Sequence, residues 1–164
     1  MSEATHLAGA LEGLFSAPEC LWFATFPAAV KGLSAHQAAA TPGPRLNSVL
    51  GVTLHLTLCQ RFALALLRGD PIDVDAFFAE GMWPPVRDPG SEAAWQQAVM
   101  ELLAVNHALA ECVAGLSEAD LERDLALVGM KGFEYIEGQL AHNSHHLCEI
   151  VTMRHIQGLW LEES

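Results

Sequence analysis

The sequence has few basic residues. Among its 164 residues, Lys and Arg number 8 while Asp and Glu number 20, which gives a formal net charge of −12. Nucleic-acid binding draws much of its affinity from cationic side chains that neutralise phosphates, so we expect no DNA or RNA partner. The same deficit argues against docking on an anionic membrane surface. An acidic chain suits solubility and the attraction of cations, metal ions among them.

Export and membrane signals are also missing. We find no apolar run long enough to cross a bilayer, and residues 1–6 lack the basic and apolar regions of a secretory signal. The cysteines form no C-x-x-C pair, so we expect reduced thiols rather than a disulfide framework. They are Cys20, Cys59, Cys112 and Cys148. These absences predict a cytoplasmic protein.

Several catalytic motifs are absent. The sequence has no Gly-rich phosphate loop, no G-x-G-x-x-G element and no nucleophile elbow, and its serines have no convincing triad partners by spacing. Covalent acyl or phosphoryl chemistry therefore has no support.

Apolar residues, by contrast, are plentiful. Hydrophobic residues make up 51% of the chain, and the mean hydropathy is +0.24. The length suits one domain, residues 1–164, and the apolar content is slightly more than a monomer of this size needs. We therefore expect a homodimer that buries the excess in a subunit interface.

The chain divides into helical stretches at proline and glycine, and strand patterns are missing. Short capped turns are expected at Ser34 and Ser117. Four long helices with two lengthy connections predict an all-α four-helix bundle with crossover connections. The expected helices run from Ser2 to Phe15, from residues 46–48 to Gly69, from Ser91 to Gly115, and from after Gly132 to about Gly158.

His55 is predicted to face the bundle interior. At about 100° per residue, the apolar side chains of the second helix share its side, and the more polar ones lie opposite. The residues on the side of His55 are Gly51, Val52, Leu58, Cys59, Phe62 and Leu66, and those opposite are Thr53, Thr57, Gln60, Arg61 and Arg68. A buried imidazole needs partners for its ring nitrogens, which a hydrogen-bonding neighbour or a metal ion can supply.

His142 and His146 are four residues apart, so they project side by side from one face of the last helix. Two imidazoles at this spacing can bind a single ion. Glu149 continues the stripe as a further ligand, a hydrogen-bond acceptor for a ligand, or a base, although an exposed carboxylate is an equal alternative. Apolar residues on the same line suggest a site within the core: Tyr135, Met153, Ile156 and Trp160.

A solvent-exposed stripe is the alternative interpretation, because Ile136, Leu140, Leu147 and Val151 form a second apolar face that would then face the core. The other residues that could carry chemistry have simpler interpretations. We interpret Cys59 as a small hydrophobe and His107 as structural or exposed. The tryptophans are interpreted as core or interface anchors: Trp22, Trp83, Trp95 and Trp160.

His55, His142 and His146 together would hold one divalent metal ion and leave coordination positions open, as catalytic sites require. Nitrogen ligands suit zinc, nickel, iron or copper, and among these we favour zinc or nickel.

Two segments resemble the DinB (damage-inducible, YfiT-like) superfamily. The stretch from Asn47 to Leu56, which contains His55, is similar to the second helix of that superfamily. The stretch from Gly138 to Ile150, with H-x-x-x-H at 142 and 146, is similar to its last bundle helix, and Trp83-Pro84 and Trp95 also fit.

The resemblance implies a four-helix bundle with crossover connections, often a dimer, and a mononuclear site with the three histidines as ligands. It also implies kinship with bacillithiol S-transferases and mycothiol-dependent maleylpyruvate isomerase, in which a metal activates a low-molecular-weight thiol. Two departures concern the substrate pocket. His145 stands where an aromatic residue is frequent, and Cys148-Glu149 stands where Gly-Gln is frequent.

Three functions follow as hypotheses. The first is a metal-dependent transferase that joins a bacillithiol-like thiol to a small electrophilic substrate. The second is a hydrolase that uses a metal-activated water. The third is a non-catalytic stress-response protein that binds a metal or a small ligand.

Overall fold

The computed structural model describes residues 2–16 and 22–161. Its helices are α1 (Glu3–Gly13), α2 (Phe26–Val30), α3 (Ala35–Ala39), α4 (Val49–Arg68), α5 (Val74–Phe77), α6 (Glu92–Ala114), α7 (Glu118–Leu121) and α8 (Gly132–Ile156). Two antiparallel strands, β1 (Asp124–Leu125) and β2 (Met130–Lys131), precede α8. The all-α prediction is confirmed, and the short hairpin and α5 are elements that the sequence pattern did not predict.

Local signals define the long helices. The hydroxyls of Ser2, Ser48 and Ser91 each accept a hydrogen bond from a main-chain N–H of the first helical turn, which satisfies a donor that has no intrahelical partner. Gly69, at φ 76°, ends α4 in the left-handed conformation that glycine adopts without strain. These caps explain why the predicted bounds of α4 and α6 agree with the structure.

The long helices α1, α4, α6 and α8 form the bundle. Helix α6 packs against α4 and α1, and α8 packs against the same two helices from the other side. Helices α1 and α4 therefore occupy opposite corners, as do α6 and α8. The chain crosses the bundle diagonally from α1 to α4 and again from α6 to α8, which agrees with the predicted crossover connections.

Helix α4 is buried on more sides than its sequence pattern suggested. Thr53, Thr57 and Gln60, which periodicity placed on an outward side, are buried. The two threonine hydroxyls donate to the main-chain carbonyls four residues earlier, and this satisfies them inside the core. The helix is central, so a two-sided polar pattern does not apply to it.

The same helix corrects the expectation that no stretch could cross a bilayer. By length and composition α4 is long and apolar enough to do so, with a mean hydropathy of 1.5 over an 18-residue window. However, 67% of that window is buried inside the fold. This is how the core helix of a soluble protein behaves.

Three cysteines that the structure describes are free thiols, as predicted: Cys59, Cys112 and Cys148. Cys20 lies outside the described residues. Among the tryptophans, Trp95 is buried in the core and donates its indole N–H to the carbonyl of Leu33, whereas Trp22 and Trp160 are exposed. Trp95 is thus confirmed as a core anchor, Trp22 and Trp160 do not belong to the core, and an interface role for these two stays a prediction.

Candidate metal centre

The three predicted histidines meet between α4 and α8. The ring centroids of His142 and His146 lie 4.6 Å apart, and that of His55 lies 5.2 Å from the first and 4.9 Å from the second. A ring nitrogen from each lies within 4.8 Å of the others. Periodicity on α4 and the four-residue spacing on α8 thus predicted a real cluster, and this triad could hold one metal ion.

The protonation state of His55 follows from its hydrogen bond. Its Nδ1 lies 2.7 Å from the main-chain carbonyl oxygen of Met82. A carbonyl only accepts, so Nδ1 carries a proton and donates, which makes Nε2 the ring nitrogen that can offer a lone pair. That lone pair faces Nε2 of His142 at 3.1 Å. A carbonyl acceptor of this kind orients many metal-binding histidines.

His146 is held in the same manner by Glu149. Nδ1 of His146 lies 2.7 Å from Oε2 of Glu149 and donates to the carboxylate, which again leaves Nε2 free. The other carboxylate oxygen of Glu149 accepts from Nδ2 of Asn47 at 2.9 Å. Glu149 is therefore not a free surface carboxylate, since α8 and the segment before α4 both hold it.

A second grouping shares part of this cluster. His145, His146 and Glu149 also bring one ligand atom each within 4.8 Å of one another. His145 is exposed, however, whereas His55 and His146 are buried. The two groupings share His146, so they are alternatives for one ion.

Burial favours the neutral form of His142 and His146. Burial lowers the pKa of His142 to about 4, and the neighbouring charges of His146 and His55 add to this effect. Burial also lowers the pKa of His146, although the carboxylate of Glu149 opposes the shift. Imidazoles bind metal ions through unprotonated nitrogens, so these shifts prepare the site for a cation at neutral pH.

The donor set fits a divalent transition-metal ion. Nε2 of His55 has a lone pair directed at Nε2 of His142, so a proton or a cation must lie between the two atoms. Their separation of 3.1 Å is close to the roughly 3.3 Å between two nitrogens bound to one tetrahedral ion at about 2.0–2.1 Å. Three imidazole nitrogens suit zinc or nickel better than magnesium or calcium.

Trp83 covers one side of the triad. Its ring stacks on His55 with centroids 4.0 Å apart and planes 12° from parallel, and it meets His146 edge-on at 5.7 Å. Its interpretation as a core or interface anchor missed this role. Met82 and Trp83 lie on the loop after α5, and this loop brings both of them to His55. The sequence of the loop has no periodic pattern from which these contacts could be predicted.

The apolar residues predicted to bracket the site are only partly where expected. Met153 is buried and Tyr135 is half-buried, whereas Ile156 and Trp160 are exposed. The second apolar face of α8, with Ile136 and Leu147, does pack into the core. The histidine stripe therefore lies at the edge of the core, between the two extremes that the sequence left open.

Cys59 lies one turn after His55, with Sγ 3.7 Å from Nε2 and 3.8 Å from Nδ1. Burial raises the pKa of this thiol to about 11, so it remains protonated at neutral pH and is a poor nucleophile. This agrees with its interpretation as a small hydrophobe. His107 is exposed beside Glu12 and Glu111, also as expected.

The comparisons with known proteins agree with this geometry. The family model of the DinB superfamily matches residues 22–150, which include the three histidines and Glu149. The chain belongs to the DinB superfamily. No curated protein and no solved structure gives a significant match to it.

Proposed function

We propose that this DinB-superfamily protein is a metal-dependent S-transferase that joins a bacillithiol-like thiol to an electrophilic substrate. The observation that carries the proposal is the convergence of three imidazoles, of which His55 and His146 are oriented by hydrogen bonds to the Met82 carbonyl and to Glu149. When bound, a divalent cation supplies a Lewis acid that lowers the pKa of a small thiol.

His55, His142 and His146 would hold the cation, and each residue of the surroundings has a role that its contacts support. The Met82 carbonyl and Glu149 fix which ring nitrogen of His55 and His146 is unprotonated. Trp83 excludes water from one face of His55. Glu149 stands behind His146 and accepts from both His146 and Asn47, so its role is to orient that ligand.

The overall reaction is a substitution. The sulfur of the thiol forms a bond to the electrophilic carbon, the bond from that carbon to the leaving group breaks, and the leaving group departs with the bonding pair. The thiol proton passes to solvent, and no oxidant or reductant is needed.

The ligand set is tested first, by metal analysis of tag-free protein and of single variants. We expect about one equivalent of zinc or nickel per chain, lost in His142→Ala and retained in His145→Ala. Loss of the metal in His145→Ala with retention of the metal in His142→Ala would mean that His145, His146 and Glu149 hold the ion instead of the triad. Circular dichroism checks that each variant keeps its helices.

Activity is then measured with the loaded protein, a panel of small thiols and a chloro-dinitrobenzene. Thioether formation that needs the thiol, ends on chelation and falls at least a hundredfold in His146→Ala supports S-transfer, with exposed His107→Ala as the matched control. A rate unaffected by His146→Ala refutes it. Ester cleavage without thiol that ends on chelation would instead indicate hydrolysis, and metal retention without turnover would indicate a binding protein.

A further inference from the structure

A cleft of about 330 Å³ opens beside the triad. Helices α4 and α8, strand β2 and the segment after α5 supply its lining, which includes Phe62, Phe78, Met82, Met130, Tyr135 and Gly138. His142 belongs both to this wall and to the triad. A molecule in the cleft therefore has one end beside the candidate metal centre.

The walls of the cleft are apolar. Two phenylalanines, two methionines and a tyrosine line it, and the ring centroids of Phe62 and Phe78 lie 5.2 Å apart. Aromatic rings offer flat apolar area, and methionine adapts its shape to a ligand. No aspartate, glutamate, lysine or arginine is among the described residues that line the cleft. An ion would lose hydration there without gaining a counter-charge.

The few polar groups of the lining are mostly committed elsewhere. Nε2 of Gln139 donates to Oδ1 of Asn143 at 2.9 Å, and the Cys59 thiol is half-buried against His55. Apart from the Tyr135 hydroxyl, polar recognition is therefore concentrated at the His142 end. This polarity gradient orients an elongated ligand with its apolar part in the cleft and its reactive part at the histidines.

The size sets a scale for the ligand. An apolar cavity of about 150 Å³ accommodates benzene, so a cleft of this volume has room for one or two rings or an alkyl group of similar bulk. The volume is also at the small end of the range that ligand pockets occupy.

We propose that this cleft binds the uncharged, apolar part of the substrate, an aryl or bulky alkyl group, and presents the reactive carbon at the His142 end. The identity of the reactive end rests on the proposed function. The binding of an apolar group rests on the cleft alone.

The test is a fluorescence titration of the protein, before and after incubation with zinc or nickel, with N-phenyl-1-naphthylamine, an uncharged two-ring probe. We expect saturable binding of one probe per chain, weakened at least tenfold by Gly138→Leu and by Met82→Glu. A Cβ at Gly138 would meet no atom within 4 Å, so the leucine enters the cleft without a backbone clash. Gly9→Leu on α1 is the matched control because its Cβ position is equally open, and exposed Met100→Glu is the control for Met82→Glu.

Binding that is not saturable, or that neither cleft variant weakens more than its control does, would overturn the proposal. The outcome is separable from that of the proposed function. Probe binding that follows the expected pattern in a protein that takes up no metal would leave the cleft assignment standing and remove the S-transferase. Confirmed thiol transfer without the expected binding pattern would leave the S-transferase standing and remove the cleft assignment.

Discussion

Nδ1 of His146 donates to Oε2 of Glu149 at 2.7 Å, and Asn47 holds the other oxygen of that carboxylate. A carboxylate behind an imidazole fixes the ring orientation and raises the basicity of the opposite nitrogen. Glu149 is thus better understood as a positioning group for a metal ligand than as a ligand itself.

The first prediction follows from that contact. Glu149→Ala should weaken metal binding about 10–100-fold, because His146 loses the acceptor that orients it. Asn47→Ala should weaken it by a smaller factor, since the carboxylate remains but is held by one contact fewer. Competition titration with a chromophoric chelator measures both affinities.

Glu137→Ala is the matched control, because Glu137 is an exposed glutamate on the same helix. An affinity for metal that is the same in Glu149→Ala as in Glu137→Ala would mean that the carboxylate has no supporting role.

Much of the fold could be predicted because its signals are local. The caps at Ser48 and Ser91 and the left-handed Gly69 define the long helices within a few residues. The β1–β2 hairpin and α5 were missed because elements of two to four residues depend on tertiary packing more than on their own pattern. Thr53 and Thr57 look polar in sequence, and only their bonds to the preceding turn make them compatible with burial.

The site divides in the same way. The spacing of His142 and His146 is visible in the sequence, and the periodicity of apolar residues on α4 predicted that His55 faces inward. By contrast, the Met82 carbonyl and the Trp83 ring arrive on a loop whose path depends on the folded bundle. The homodimer, the cytoplasmic location, the small-molecule substrate and the lack of nucleic-acid and membrane partners stay predictions from composition and resemblance.

A second prediction concerns the start of α8. A Cβ at Gly132 would lie 2.6 Å from the carbonyl oxygen of Asp120 and 3.0 Å from that of Leu121, so the backbone would have to move. Gly132→Ala should therefore lower the free energy of unfolding by about 1–3 kcal/mol. Urea denaturation measures it.

Gly138→Ala on the same helix is the control, because a Cβ there meets no atom within 4 Å. It should be neutral or add up to about 1 kcal/mol through helix propensity. Equal effects of the two substitutions would show that the tight approach at Gly132 is not real.

A third prediction concerns pH and the metal-free protein. The pKa of His142 falls from 6.5 to about 4 on folding, so between these values the unfolded chain binds more protons than the folded one. The contribution of this group is thus present above about pH 6.5 and is lost as the pH falls toward 4. After discounting for the partial exposure of the ring, the loss should be about 1–2 kcal/mol.

Urea unfolding of chelator-treated protein at several pH values between 7 and 4.5 measures this loss. His142→Asn should show a shallower fall in stability over that range, because the titrating ring is gone. Equal pH dependence in the two proteins would contradict the assignment of the effect to His142.

A fourth prediction uses Trp83 as a reporter of the triad. Because its ring stacks on His55 at 4.0 Å, a nickel or copper ion bound to the triad should quench its fluorescence strongly at short range. Titration of the metal-free protein should give a saturable loss of tryptophan emission, and most of that loss should disappear in Trp83→Phe. Trp160→Phe should keep it, because Trp160 is exposed and stacks on His155 instead. If metal quenched the emission of both variants as much as that of the wild type, the ion would be bound away from the three histidines. Trp83 would then cover a site that metal does not occupy.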